Sequence, residues 1–146
     1  MKILLQRVSQ ASVRVDAQVV GGIGPGLLLF VGFGEGDSQE QLKPMAEKIV
    51  QLRVFREGEK HFQRSLLECA GELLVIPQFT LYAETQKGRR PDFVKALNPT
   101  LAEPLFQQFV EVLASLGVKK VEKGSFGAYM QVQLENDGPV TIMLEN

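Results

Sequence analysis

Apolar and polar positions along the chain alternate first with the period of strands. Ile3, Leu4 and Leu5 open a strand over residues 2–8, and Val13 and Val15 flank Arg14 in a second over 12–15. Asp16-Ala17-Gln18 reads as a turn leading to Val19 and Val20, and four glycines with Pro25 over 21–26 break the chain. Leu27 to Phe33 is an unbroken apolar run of strand length, closed by Gly34-Glu35-Gly36-Asp37. The period then changes. Leu42, Met45, Ala46, Ile49, Val50 and Leu52 recur at helical spacing behind a Ser38/Gln41 capping pair. Pro44 requires that this helix start late or kink. A short strand over 53–56, a charged turn over 57–64 and a second buried strand over 72–76, ended by Pro77, follow. Residues 82–98 are polar and read as a loop. Asn98-Pro99 starts a second helix whose apolar stripe runs from Leu101 to Leu116 and stops at Gly117. Strands over 118–121, 129–134 and 140–144 finish the pattern, the last two joined by an Asn136-Asp137-Gly138-Pro139 turn. Many strands with two helices and no internal repeat or linker predict one α+β domain over residues 1–146.

Composition narrows the class. A chain of 146 residues with 45% hydrophobic and 23% charged residues is long enough to bury a core, which excludes disorder, collagen and coiled coil. No apolar run approaches the ~20 residues of a membrane helix, and the start of the chain is too short in apolar residues for a secretory signal. One cysteine, Cys69, forms no intrachain disulfide, and with a single histidine, His61, the chain lacks the soft ligands of a zinc site. The expectation is a reducing, cytoplasmic setting, no metal and no organic cofactor. The net charge of −1 leaves only a local patch for any nucleic-acid contact.

The usual catalytic constellations are absent. His61 lies in a charged turn, no Gly-x-Ser-x-Gly elbow occurs, and the glycines at 21–26 precede a strand rather than a phosphate-binding helix. Two segments are unusual. Pro77-Gln78-Phe79-Thr80-Leu81 places a proline, an amide and a hydroxyl at the end of a buried strand. Asn136-Asp137-Gly138-Pro139-Val140-Thr141 is turn-like between two strands. Taken singly, each reads as a strand break or a turn.

Together they resemble the two signature motifs of the D-aminoacyl-tRNA deacylase family, and the resemblance extends to residues 6–15, 21–32 and 81–93. The family's first motif has serine where this chain has Pro77. A sister family that removes L-alanine from tRNA shares that proline, but Phe79 and Val140 match the D-specific family instead.

The resemblance implies a β-barrel-like α+β fold and a homodimer with active sites at its interface. It implies hydrolysis of the ester of D-aminoacyl-tRNA, and of glycyl-tRNA, by water. The backbone N–H groups of Phe79 and Thr80 then stabilise the oxyanion, Gln78 shapes the pocket and Thr80 is a candidate catalytic residue. A cis Gly138-Pro139 unit enters the partner's site and excludes L side chains, and Arg7 holds that unit in place. Lys87, Arg89 and Arg90, in a loop over 84–95 of local charge +2 (four cationic against two acidic residues), are candidates for tRNA phosphate contacts. The competing readings are the L-alanyl-tRNA deacylase and a non-catalytic RNA-binding β-domain. The latter calls for stacking aromatics on a basic sheet, in a chain with no Trp and two Tyr.

Overall fold

The computed structural model describes residues 1–146. Strand β1 (Lys2–Val15) is a single strand of 14 residues, where the alternation predicted two. Ser9 and Gln10, which separate the apolar stretches, are outward positions of one strand rather than a break. Asp16 and Ala17 both take positive φ, +48° and +66°, which is the twist a two-residue hairpin needs to turn β1 into the antiparallel β2 (Gln18–Ile23). Strand β3 (Gly26–Gly32) pairs antiparallel with residues 2–8 of β1, so β2 and β3 share one edge of that strand.

The capping pair forms at the first helix: the Gln41 side-chain carbonyl accepts from the Ser38 N–H at 2.8 Å. A 3₁₀ turn over residues 39–41 follows, and α1 (Leu42–Gln51) starts late, with Pro44 in its first turn, where no intrahelical donor is lost. The charged turn expected over 57–64 is instead a hairpin of β4 (Phe55–Glu57) and β5 (Lys60–Arg64), mostly exposed on both strands, so it carries no apolar alternation to read. Strand β6 (Glu72–Pro77) lies parallel to β3. Helix α2 (Pro99–Ser115) is capped by the Asn98 side chain, which accepts from the Thr100 N–H at 3.0 Å, and ends before Gly117 at φ +83°. Strand β7 (Lys120–Lys123) is parallel to β6 and begins two residues later than the pattern suggested.

The largest departure from the sequence pattern is β8 (Gln131–Glu145). It is one strand of 15 residues, antiparallel to β1 along almost its full length, with no turn at 136–139. Residues 131–135 and 141–145 pair with the same partner strand, and the extra residues between them bulge out opposite Arg7. Turn-forming residues yield here to a long template that pairs on both sides of them.

Two apolar clusters fill the molecule. Ile3, Leu5, Leu27, Leu29, Leu73 and Val75 point from the sheet to Met45, Ile49, Phe106 and Phe109 of the helices. Val8, Val13, Leu28, Leu74 and Ile76 point the other way, into the curl of the sheet, where Val132 and Leu134 of β8 close over them. Burying a side chain of this size stabilises by about 1.5–3 kcal/mol, so strands covered on both faces are unbroken apolar runs. The sheet curls until β2 meets β7: the Lys120 ammonium donates to the Gly22 carbonyl at 2.6 Å. The result is a nearly closed, barrel-like sheet with two helices on one face, an α+β fold. One long edge remains open, because the outer side of β8 pairs with nothing in the chain. No helix is long and apolar enough to cross a membrane.

Candidate functional site

The first unusual segment turns sharply as it leaves the sheet. Gln78 still donates its N–H to Val31 of β3 at 2.7 Å, so alternate residues of β6 face β7. Pro77 is one of those, and β7 has ended by then, with Lys123 opposite Val75. The missing proline N–H therefore costs no ladder bond. Residues Phe79–Tyr82 then wind into a 3₁₀ turn. The N–H groups of Phe79 and Thr80 stand at its start and donate to no protein atom. Tyr82 anchors the far end of the turn. Its hydroxyl donates to the Asp37 carboxylate at 3.3 Å, and the same carboxylate accepts from the Gly34 N–H at 2.7 Å. Burial and the adjacent Asp37 charge both push the Tyr82 hydroxyl pKa well above its ordinary value, so this donor stays protonated. Gly34 is required here, since a Cβ would lie 2.3 Å from the Tyr82 ring.

Beside the turn lies an apolar pocket of about 530 Å³. Pro77, Gln78 and Phe79 form one wall, Phe93, Leu97 and Ala102 a second, and Phe126 to Met130 a third. Phe79 meets Phe93 edge to face at 5.0 Å, and Phe126 rests against Phe106 of α2 at 6.1 Å. Thr80 does not border the pocket; its hydroxyl accepts from the Gln78 side-chain amide. The aromatic and small residues over 93–102 and 126–130 were not singled out from the sequence. Their only signal is a scatter of Phe and Ala in irregular segments, which has no period.

The second unusual segment lies elsewhere in the chain. Residues 136–139 are exposed in the β8 bulge and do not line the pocket. The Gly138–Pro139 peptide is cis, and Gly138 sits at φ +133°, where a Cβ would fall 2.9 Å from the Arg7 guanidinium. Arg7 is only 4% exposed. Its guanidinium donates to the Asp137 carbonyl at 2.9 Å and to the Val54 carbonyl at 2.5 Å, and lies 3.1 Å from the Asp137 carboxylate. Arg7 thus contacts this segment directly.

Lys87, Arg89 and Arg90 are exposed and make no ion pair or hydrogen bond with the protein. Their loop is pinned at its base by reciprocal backbone bonds between Glu84 and Asp92, at 2.8 and 2.9 Å. His61 is exposed on the β4–β5 hairpin and Cys69 is half-buried, so neither meets the pocket. No cluster of three or more His, Cys, Asp or Glu side chains offers a metal site.

The curled sheet thus sets free backbone donors beside an apolar pocket that no acidic or basic side chain lines. Residues 4–145 match the D-Tyr-tRNA(Tyr) deacylase family, and the chain belongs to that family. It is 52% identical over 146 residues to a D-aminoacyl-tRNA deacylase of Roseiflexus castenholzii, covering 100% of this chain and 92% of that one. It is 47% identical to a D-aminoacyl-tRNA deacylase of Clostridium perfringens, covering 97% of that protein. Among solved structures, the "c-Myc DNA Unwinding Element Binding Protein" superposes with a TM-score of 0.94 at 41% identity, over 100% of this chain and 99% of that one. The fold is shared as well with a "probable eukaryotic D-amino acid tRNA deacylase", TM-score 0.86 at 20% identity, over 98% and 97% of the two chains.

Proposed function

We propose that this chain hydrolyses the ester joining a D-amino acid to the terminal ribose of tRNA, and that it accepts glycyl-tRNA as well. The observation that carries this is the pair of unpartnered N–H groups of Phe79 and Thr80 in the turn beside the aromatic pocket, in a chain of the deacylase family. Water attacks the ester carbonyl, and the developing oxyanion is received by those two donors. Fixed main-chain dipoles suit this task because they need no reorganisation as charge develops. The C–O bond to the ribose then breaks, the amino acid leaves as its carboxylic acid and the ribose oxygen takes a proton. The neighbouring ribose hydroxyl of the substrate lies close enough to assist that transfer. The terminal adenosine occupies the pocket, its flat base between Phe93 and Phe126. Gln78 holds the Thr80 hydroxyl and so fixes the turn, and Pro77 fixes the strand end before it.

Selection against L substrates falls to Gly138 and Pro139 of a second copy of the chain. In one copy this segment is exposed and does not line the pocket, and it projects from a strand whose outer edge is unpaired. A two-fold homodimer places each copy's segment in the other's site and uses the same surface twice. The segment's carbonyls receive the substrate ammonium and leave no space for an L side chain, whereas glycine has no side chain to exclude. Arg7 sets its position, the loop carrying Lys87, Arg89 and Arg90 meets the tRNA phosphates, and the enzyme works in the cytoplasm without cofactor.

A deacylation assay on D-Tyr-tRNA, L-Tyr-tRNA, Gly-tRNA and L-Ala-tRNA tests this reading. Hydrolysis of the first and third, with the second spared, is expected. Hydrolysis of L-Ala-tRNA alone overturns it in favour of the L-alanine-specific activity, and hydrolysis of none favours an RNA-binding role. Sedimentation of the free protein as a monomer removes the cross-subunit part.

A further inference from the structure

One wall of the pocket ends in a side chain that the reaction does not use. Tyr129 is 90% exposed, more than any other large hydrophobic side chain of the protein. It lines the pocket together with its neighbours Ala128 and Met130, and Phe126 ties the same loop to α2. The ring is thus held at the rim by an anchored segment while both its faces stand in water. A ring of this size usually finds a partner surface. Across the pocket stands Phe93, from the loop that carries the unpartnered cations Lys87, Arg89 and Arg90. An exposed aromatic face on one side of a pocket and free cations on the loop of the other fit single-stranded nucleic acid. Its bases stack on rings and its phosphates seek cations. An apolar protein partner would leave those cations unmatched.

We propose that Tyr129 is the stacking platform for the nucleobase next to the terminal adenosine, in the unpaired 3′ end of the charged tRNA. This rests on the reading of the pocket as the adenosine site. Tyr129 then positions substrate by gripping the first base outside the pocket and takes no part in bond breaking. Stacking needs the ring and not the hydroxyl.

The experiment compares wild type, Tyr129→Ala and Tyr129→Phe on three substrates: D-Tyr-tRNA, the same tRNA abasic at the penultimate position, and D-tyrosyl-adenosine. The alanine variant is expected to raise KM for D-Tyr-tRNA by roughly 5- to 150-fold, the range that loss of one base–aromatic stack implies, with kcat unchanged. Tyr129→Phe stays close to wild type. The abasic substrate shows the same rise with wild type, and Tyr129→Ala adds nothing further to it. On D-tyrosyl-adenosine, which lacks the penultimate base, the rise caused by Tyr129→Ala is much smaller than on D-Tyr-tRNA. A second readout does not depend on catalysis. The chain has no Trp and two Tyr, Tyr82 and Tyr129, so tyrosine fluorescence reports stacking directly. The trinucleotide CCA quenches it, and the quench disappears in Tyr129→Ala. Equal losses on tRNA and on D-tyrosyl-adenosine, or losses that add to the abasic effect, overturn the proposal. So does a Tyr129→Ala variant that only changes self-association, which assigns the ring to a second copy. If wild type hydrolyses no D-aminoacyl ester while CCA still quenches Tyr129, the deacylase reading falls and the stacking site stands.

Discussion

Arg7 and Asp137 are joined twice: the guanidinium donates to the Asp137 carbonyl at 2.9 Å and lies 3.1 Å from its carboxylate. The two contacts differ in weight. The Asp137 side chain is half in solvent, so the ion pair is screened. The guanidinium is buried and also holds the Val54 carbonyl, just past α1. Lysine keeps the charge but not the planar fork. Arg7→Lys is therefore expected to lose about 1–3 kcal/mol of stability, the cost of a buried polar group left without its partner. It is also expected to hydrolyse L-Tyr-tRNA measurably. Urea unfolding and the D/L rate ratio check the two effects.

Gly138→Ala tests the same segment without touching Arg7. The backbone at φ +133° and a Cβ placed 2.9 Å from the guanidinium both oppose any side chain. A residue forced into such backbone costs about 1–3 kcal/mol. The segment is exposed, so the sheet is expected to stay folded by circular dichroism while deacylation and D/L discrimination collapse. Wild-type discrimination in this variant would dissociate Gly138 from selectivity.

Replacing Lys87, Arg89 and Arg90 together with Gln is expected to raise KM for charged tRNA and flatten its salt dependence. Each lost phosphate contact reduces the slope of log affinity against log salt by about 0.7–0.9. The three exposed side chains make no hydrogen bond or ion pair with the protein, so stability should move by no more than about 0.5 kcal/mol. An unchanged salt slope places the RNA contact elsewhere.

Glu72 offers a pH test at a site far from the chemistry. The Gly24 N–H donates to its carboxylate at 2.9 Å and holds its pKa below the ordinary 4.5, and Lys119 at 3.3 Å adds to the effect. A lowered carboxylate pKa contributes stability that is present above the ordinary value and shed as pH falls through the lowered one. Glu72→Gln keeps an acceptor for Gly24 and loses the charge. Its deficit relative to wild type is expected to be largest near neutral pH and to shrink below pH 4.5. Thermal melts across that range decide it; a deficit independent of pH removes the electrostatic account.

The strands buried on both faces and the capped helices were legible because their causes are local: apolar period, Asn98 before Pro99, Gly117 after the stripe. Arg7's contact and the basic loop followed from the resemblance and from charge. The reading of 136–139 as a hairpin turn failed because turn chemistry is local while strand pairing is not. Only the long β1 template reveals that both flanks of the segment run in one line. The pocket walls were hidden for a related reason. Phe93, Phe126 and Tyr129 come from segments distant in sequence from the first motif, and each lies in irregular chain where no period marks a face.

The pairing of β1 with β8 also orders events during synthesis. Residues 2–14 leave the ribosome more than a hundred residues before the strand that completes their outer edge. At about 5–20 residues per second, the nascent chain spends several seconds with β1 unpaired on that side and with Val8, Val13 and Leu28 not yet covered by Val132 and Leu134. Nascent β1 is consequently the segment that most needs shielding by a chaperone, and a ribosome stalled before residue 131 would carry an adhesive sheet edge rather than a partly working enzyme.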